Sequence, residues 1–148
     1  MKNEAHTTDI VEIENVSVST ADIENMIFNI REQQVMLDRD LAQLYGVETK
    51  VLNQAVKRNL ERFPERVRFQ LTEKKADKLV TNCDRLQNLR HSSVTPFVFT
   101  EQGVAMISSV LRSKTAVNVS IQIMDAFIGK QLKIYCRTSN KPWNEIRF

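Results

Sequence analysis

The stretch between Asp38 and Pro64 restricts the fold more than any other part of the chain, because one glycine separates two amphipathic helical segments. The apolar spacing predicts a first helix over 39–45, with Asp38 as its N-cap and Gly46 at its end. A second helix is predicted from a cap at Thr49 to about residue 62, where Pro64 stops it. A short turn containing glycine is typical of a helix-turn-helix unit.

The periodicity also assigns the two faces of this unit. The residues predicted to point inward are Leu41, Leu44 and Tyr45 in the first helix and Leu52, Ala55, Val56 and Leu60 in the second. The residues predicted to point outward are Arg39, Asp40 and Gln43 in the first helix and Lys50, Asn53, Gln54, Lys57 and Arg58 in the second. The outer face of the second helix is therefore rich in amides and bases.

Short strands surround this unit in the predicted fold. Two β-prone runs, Ile27–Ile30 and Gln34–Leu37, predict a hairpin, and apolar residues alternate with polar ones from Arg66 to Leu71. A fourth strand is predicted over 97–99. The third and fourth strands each lead into a threonine and a glutamate, typical of a helix start, and this similarity predicts that the two strands pair in one sheet. The fold class is α+β, with a small antiparallel sheet and additional packed helices.

Charge divides the chain into segments. Residues 1–25 hold one base and six acids, a net charge of −5, and residues 1–22 are predicted to form a flexible acidic arm. One domain is expected over 23–137 and a loose tail over 138–148. Residues 82–95 are polar and predict a loop. Residues 50–68 hold six bases and two acids, a net charge of +4, although the whole chain carries only +3.

The last long helix carries an apolar stripe of Val117, Ile121, Met124 and Ile128, which continues to Tyr135. Spacings of four and three residues are those of a coiled-coil seam, so the stripe is one candidate surface for a homodimer. Packing on the domain's own sheet explains the same spacing and is the favoured interpretation.

Several classes of function find no support in the sequence. The two histidines have no partner nearby in the sequence, and neither a glycine-rich phosphate loop nor a Gly-x-Ser-x-Gly motif occurs. Cys83 and Cys136 are expected to be free thiols. No signal peptide or membrane span is found. We therefore expect a cytoplasmic protein, in the bacterial cytoplasm or nucleoid, without catalysis, cofactor, metal or small-molecule substrate.

The basic helix predicts binding to double-stranded DNA. Residues near the start of a recognition helix reach base edges in the major groove, and basic residues elsewhere contact phosphates. The candidate base contacts are Thr49, Lys50, Asn53 and Gln54. The candidate phosphate contacts are Lys57, Arg58, Arg62, Arg66 and Arg68. Two alternatives remain open: a protein-interaction module that binds an acidic regulatory partner, and an RNA-binding module, which the scarcity of aromatics disfavours.

Two separated blocks carry a resemblance to a known family. The first block is Leu37–Val47, followed by Asn53–Asn59 and Arg62–Pro64, and the second is Phe97–Met106. In this order they resemble the ORF6N domain of phage and bacterial proteins, over about residues 23–130. The resemblance implies a DNA-binding module related to the KilA-N and Bro-N domains, with a regulatory role as an antirepressor or transcription regulator and without catalytic activity. It assigns no individual contact residues.

The start of the second block has its own interpretation. Thr100 is expected to cap a helix, Glu101 to lie at its positive end, and Gly103 to allow close packing. This structural reading is favoured over a second nucleic-acid contact, since no lysine or arginine follows until Arg112.

Overall fold

The computed structural model describes residues 18–83, 86 and 95–139. The predicted arm before residue 18, the polar loop over 84–94 apart from Leu86, and the predicted tail beyond Ser139 lie outside the described residues. The described elements are α1 (Thr20–Glu24), β1 (Ile27–Ile30), β2 (Gln33–Leu37), α2 (Asp38–Tyr45), α3 (Thr49–Lys57), a 3-10 turn (Leu60–Arg62), β3 (Arg68–Gln70), α4 (Glu73–Asn82), β4 (Phe97–Thr100), α5 (Glu101–Leu111) and α6 (Lys114–Ser139).

The four strands form one antiparallel sheet in the order β1-β2-β4-β3, which confirms the predicted α+β class and the predicted hairpin. A two-residue turn joins β1 to β2, with Arg31 at φ 55° and Glu32 at φ 62°. Left-handed residues at both positions suit the twist of a hairpin. The predicted pairing of the third and fourth strands is also confirmed, because Phe69 of β3 lies opposite Val98 of β4.

Each face of the sheet buries a separate apolar cluster. On one face Ile27, Met36 and Phe99 pack with residues of α2, α3, α5 and α6. On the other face Val35, Leu37, Phe69 and Val98 pack with Val80 of α4 and with Leu86. Alternating residues of a strand point to opposite faces, which explains the division. The molecule therefore has three layers, and α3 lies on the side of the sheet opposite α4.

Helix starts follow the predicted threonine caps. The Thr72 hydroxyl accepts a hydrogen bond from the backbone N–H of Lys75 (3.3 Å), and the Thr100 hydroxyl accepts one from Gly103 (3.3 Å). Helix α1 was not predicted and begins inside the expected arm, where Ser19 caps it through the N–H of Asp22 (3.1 Å). The folded part thus starts earlier than residue 23.

The favoured prediction for the last helix, that its apolar stripe packs inward, is wrong. Val117, Ile121, Ile128 and Tyr135 are between 44% and 55% exposed. The buried residues of α6 are Ala116, Val119, Ser120, Ile123, Ala126 and Phe127. Several of these side chains are small, which allows α1, α2 and α5 to approach the helix closely. The close packing decides which face points inward, and helical spacing alone does not reveal it.

One buried polar contact joins α2 to α6. The hydroxyls of Tyr45 and Ser120 form a hydrogen bond of 2.5 Å, and Tyr45 is 6% exposed. Burial raises the pKa of Tyr45 to about 12, and the hydrogen bond to Ser120 opposes the rise. The neutral phenol is therefore the form that the fold accommodates.

Alkaline solution should destabilise the protein through Tyr45. In the unfolded chain a tyrosine ionises near pH 10, whereas in the folded protein Tyr45 stays neutral until about pH 12. The stability that depends on the neutral Tyr45 phenol is therefore complete below pH 10 and is lost as the pH rises towards 12. Over that window the free energy of unfolding should fall by up to about 1.4 kcal/mol per pH unit. Urea unfolding of the parent and Tyr45→Phe at pH 8, 10 and 11 measures it. The variant should lose less stability with pH, and equal losses in both proteins would contradict the assignment.

Candidate nucleic-acid interface

The turn between α2 and α3 has the predicted glycine in the predicted conformation. Gly46 has φ 72°, in the left-handed region, and ends α2. Its N–H donates to the carbonyl of Gln43 (3.2 Å), and the N–H of Val47 donates to Ala42 (3.0 Å). These two bonds form the helix ending that glycine favours, and the chain then re-enters a helix within three residues.

The two predicted N-caps are wrong by one residue. Asp38 is the first residue of α2 and Leu37 occupies the cap position, while Thr49 is the first residue of α3 and Glu48 occupies the cap position. The carboxylate of Asp38 accepts a hydrogen bond from the N–H of Arg39 (2.7 Å), while Leu37 at the cap position has extended dihedral angles and makes no side-chain cap bond. The prediction located both helix starts to within one residue but did not identify the residues at the cap positions.

Helix α3 is shorter than predicted and ends at Lys57 rather than near residue 62. The side-chain amide of Asn59 donates to the carbonyl of Ala55 (2.9 Å) and replaces the next turn of helix. A 3-10 turn follows and allows Phe63 to meet Phe99 edge-on, with ring centroids 6.0 Å apart. The change of direction leaves Leu60, predicted to point inward, 51% exposed.

The outer face of α3 carries a row of exposed polar side chains. Leu52 and Val56 are buried, and Gln54 lies on the opposite side of the helix at 100° per residue. Lys50, Lys57 and Arg58 flank Gln54 and are exposed with it. Towards the rest of the chain that the structure describes, none of these four side chains forms a hydrogen bond or ion pair. From Lys50 to Arg58 the row extends about 12 Å along the helix.

Asn53 lies at the edge of this face, and a hydrogen bond to another residue of the domain holds its side chain in place. Its side-chain amide donates to the buried carboxylate of Asp38 at 2.9 Å. The same carboxylate oxygen lies 3.4 Å from the N–H of Phe97, at the start of β4. Asp38 therefore links α2, α3 and the sheet, and Asn53 helps to position α3. Thr49, another predicted base contact, is half-buried beside it.

The outer side of α2 differs from the prediction. Asp40, expected to be exposed, is 3% exposed. It occupies the first turn of α2, where carboxylates lie near free backbone N–H groups and the positive end of the helix dipole. Arg39 is half-buried, and Gln43 is exposed as predicted.

The three predicted phosphate contacts beyond α3 lie in different environments. Arg62 is exposed and donates to the hydroxyl of Ser109 in α5 at 2.9 Å, and Arg66 is exposed. Arg68 was expected on an outward side, but it is half-buried on the sheet face that α2 and α3 cover, and its guanidinium stacks 3.7 Å from the ring centroid of Phe97. Burial lowers the pKa of Arg68, and the charge of Asp38 opposes that shift.

Sequence reasoning missed Val51 as part of the outer face. This side chain is 45% exposed and follows Lys50 directly. An apolar side chain at such a position can contact the methyl group of thymine. Placing each residue of α3 at 100° intervals would have put Val51 inside the exposed arc, Asn53 at its boundary, and Thr49 on the side of the buried Leu52 and Val56.

Features typical of other kinds of site lie apart from these contact residues or are absent from the described residues. A groove of about 590 Å³ lies between the β1–β2 hairpin and the last turns of α6, and none of the nine predicted contact residues lines it. Within the described ranges, no cluster of three histidine, cysteine or acidic side chains is arranged to hold a metal ion. No helix in those ranges combines the length and apolar character needed to cross a membrane. Cys83 and Cys136 are free and half-buried.

Comparison with known proteins supports the family suggested by the two sequence blocks. The model of the ORF6N domain matches residues 25–110, which include the hairpin, α2, α3 and nearly all of α5. No curated protein and no solved structure matches the chain. The match covers more than half of the 148 residues, and the chain therefore belongs to the ORF6N domain family.

Proposed function

We propose that this protein binds double-stranded DNA through the outer face of α3 and acts as a phage-type regulator, without catalysis. One observation carries the proposal: Lys50, Gln54, Lys57 and Arg58 form a single exposed row on the second helix of a helix-turn-helix unit. An α-helix fits the major groove, amides can pair with adenine edges, and basic side chains with guanine edges or phosphates. A role as antirepressor or transcription regulator is the finer part of the proposal.

Roles within the row follow from position along α3. Lys50 and Gln54 lie in the first two turns and are proposed as base contacts, with Val51 beside them. Lys57 and Arg58 lie at the end of the helix and are proposed as phosphate contacts, together with the exposed Arg66. Thr49, half-buried in the first turn of α3, stays a candidate base contact. Asn53 is proposed to act on DNA only indirectly, through its hydrogen bond to Asp38.

Removing two phosphate contacts should weaken binding to every duplex. Each contact contributes about 0.9 to the slope of log affinity against log salt, so Lys57→Ala with Arg58→Ala should reduce that slope by roughly 1.8. At 0.1 M salt each contact is therefore worth a factor of about eight, so affinity there should fall roughly 60-fold. Fluorescence anisotropy with labelled duplexes over a series of salt concentrations measures both quantities.

A matched control is available on the opposite layer. Lys74 and Lys78 are exposed on α4, across the sheet from α3, and changing both to alanine removes the same total charge. This variant should bind like the parent. Equal losses in the two double variants would show that only net charge matters, and absence of duplex binding by the parent would reject the proposal.

A further inference from the structure

The outward side of α6 has an apolar stripe that the described fold leaves mostly exposed. Four exposed side chains, Val117, Ile121, Ile128 and Tyr135, form the outer stripe together with Met124, which is half-buried and also packs against the core. Helix α6 is thus apolar on two sides, because its inward residues fill the core separately. A surface helix normally keeps one apolar side and one polar side.

The spacing within the outer stripe is that of a helix-pairing seam. Its members follow one another at intervals of four, three, four and seven residues, so they occupy the two apolar positions of a heptad. At 1.5 Å per residue the stripe extends about 27 Å, or five helical turns. A seam of this length fits a second helix lying along it.

Charge is depleted around the stripe as at the centre of an interface. From Ala116 to Gly129 the sequence contains a single charged residue, Asp125, although much of this stretch is exposed. Polar uncharged side chains such as Asn118 border the apolar residues. An apolar centre with few charges and a polar rim is the composition of protein–protein interfaces.

The outer stripe is also complementary to itself. If two copies of α6 cross antiparallel about a two-fold axis between Ile121 and Met124, each Ile121 meets the partner's Met124. Each Val117 then meets the partner's Ile128, so the paired part of the stripe, about 17 Å long, is apolar throughout, while Tyr135 lies beyond the start of the partner's α6. In the same register Asp125 approaches the partner's Asn118, and like charges do not meet. An isologous two-fold contact needs this self-complementarity.

We propose that the outer stripe of α6 binds a second copy of this chain and forms a two-fold dimer. Specific interfaces bury at least about 1,000 Å² in total, and contacts near this limit are typical of weak, transient association. A contact confined to one helix pair should therefore give a dimer that exchanges with the monomer. The inward side of α6 packs on α1, α2 and α5, so a contact on the outward side leaves the outer face of α3 free in both copies. The proposal does not depend on DNA binding.

Sedimentation of the full chain without DNA, from low micromolar to submillimolar concentrations, tests the proposal. The parent should shift from monomer to dimer over this range. A variant with Ile121→Glu and Ile128→Glu should stay monomeric, because burying carboxylates in an apolar seam is unfavourable. Both side chains are about half exposed in the monomer, so circular dichroism should show a folded variant.

The matched control adds two carboxylates on exposed positions of α6 outside the stripe, through Thr115→Glu and Gln122→Glu. This variant should dimerise like the parent. A parent that remains monomeric throughout, or an Ile121→Glu, Ile128→Glu variant that dimerises as well as the control, would overturn the assignment. If the parent forms the dimer but binds no duplex DNA in the anisotropy experiment, that result would count against the proposed function alone.

Discussion

Gly103→Ala should destabilise the protein by about 3 kcal/mol, although the same change in an exposed helix stabilises by about 1 kcal/mol. Gly103 is buried in the first turn of α5. A Cβ added there would lie less than 3.0 Å from the backbone carbonyl oxygen of Val67, closer than real Cβ atoms come. That carbonyl also accepts hydrogen bonds from the N–H (2.9 Å) and the hydroxyl (3.3 Å) of Thr100. Relief of the clash would therefore disturb the junction between β4 and α5.

Urea unfolding followed by circular dichroism measures the effect, and Gly129→Ala provides the control. Gly129 is also helical, in α6, but the nearest atom to its added Cβ is Glu24 Oε2 at 3.3 Å, the end of a flexible side chain. The control should be neutral or slightly stabilising. If both variants unfold at the same urea concentration, the close approach of α5 to Val67 has no energetic importance.

Asp38→Ala should cost about 3 kcal/mol and, under the proposed function, weaken DNA binding as well, because the substitution leaves partly buried donors without their acceptor. The donors are the side-chain amide of Asn53 and the N–H groups of Arg39 and Phe97. Arg68, half-buried nearby, would also lose the negative charge that opposes its desolvation. Asp38 joins α2, α3 and β4. Its loss should therefore leave the angle between α2 and α3 less tightly fixed, and this angle positions the outer face of α3.

A double-mutant cycle separates this contact from general damage. Asn53→Ala alone should cost about 1 kcal/mol, and the double variant should be more stable than the sum of the single changes predicts, with a coupling between 0.5 and about 3 kcal/mol. Asp77→Ala, at an exposed acid on α4, should stay within about 0.5 kcal/mol of the parent. Strict additivity of Asp38→Ala and Asn53→Ala would show that the 2.9 Å hydrogen bond contributes nothing.

Local signals in the sequence were sufficient for much of the fold. Gly46, Thr72 and Thr100 act within a few residues of themselves, and the structure confirms all three roles. The hairpin and the pairing of β3 with β4 also followed from local alternation and from the repeated strand-to-threonine pattern. These features need no distant partner, which explains why they could be predicted.

Several of the failures involve partners far away in the sequence, whereas the early end of α3 follows from a local contact of Asn59 with Ala55. Asp40 was predicted to be exposed because acids usually are, and Asn53 was expected outside because amides are polar, but Asn53 lies against Asp38, 15 residues earlier. On α6 the periodicity showed an apolar face of large residues, whereas the buried face mixes large residues with small ones such as Ala116 and Ala126. The four outward residues of α3 could be predicted, since amphipathic spacing suffices there. Under the proposed function, which of these four residues contact bases depends on the geometry of the bound DNA.

The helix-turn-helix unit of α2 and α3 depends on distant parts of the chain. The residues matched by the family model end at 110, yet α6 begins at Lys114 and contributes Ile123 and Phe127 to the core that also holds Leu52 and Val56 of α3. Asp38, in turn, needs the N–H of Phe97, 59 residues later. A graft of the helix pair alone, or of the family-matched segment without α6, would lose the scaffold that orients it. Exchange of binding specificity between relatives should therefore proceed by changing the exposed row of α3 in place, with the rest of the domain kept whole.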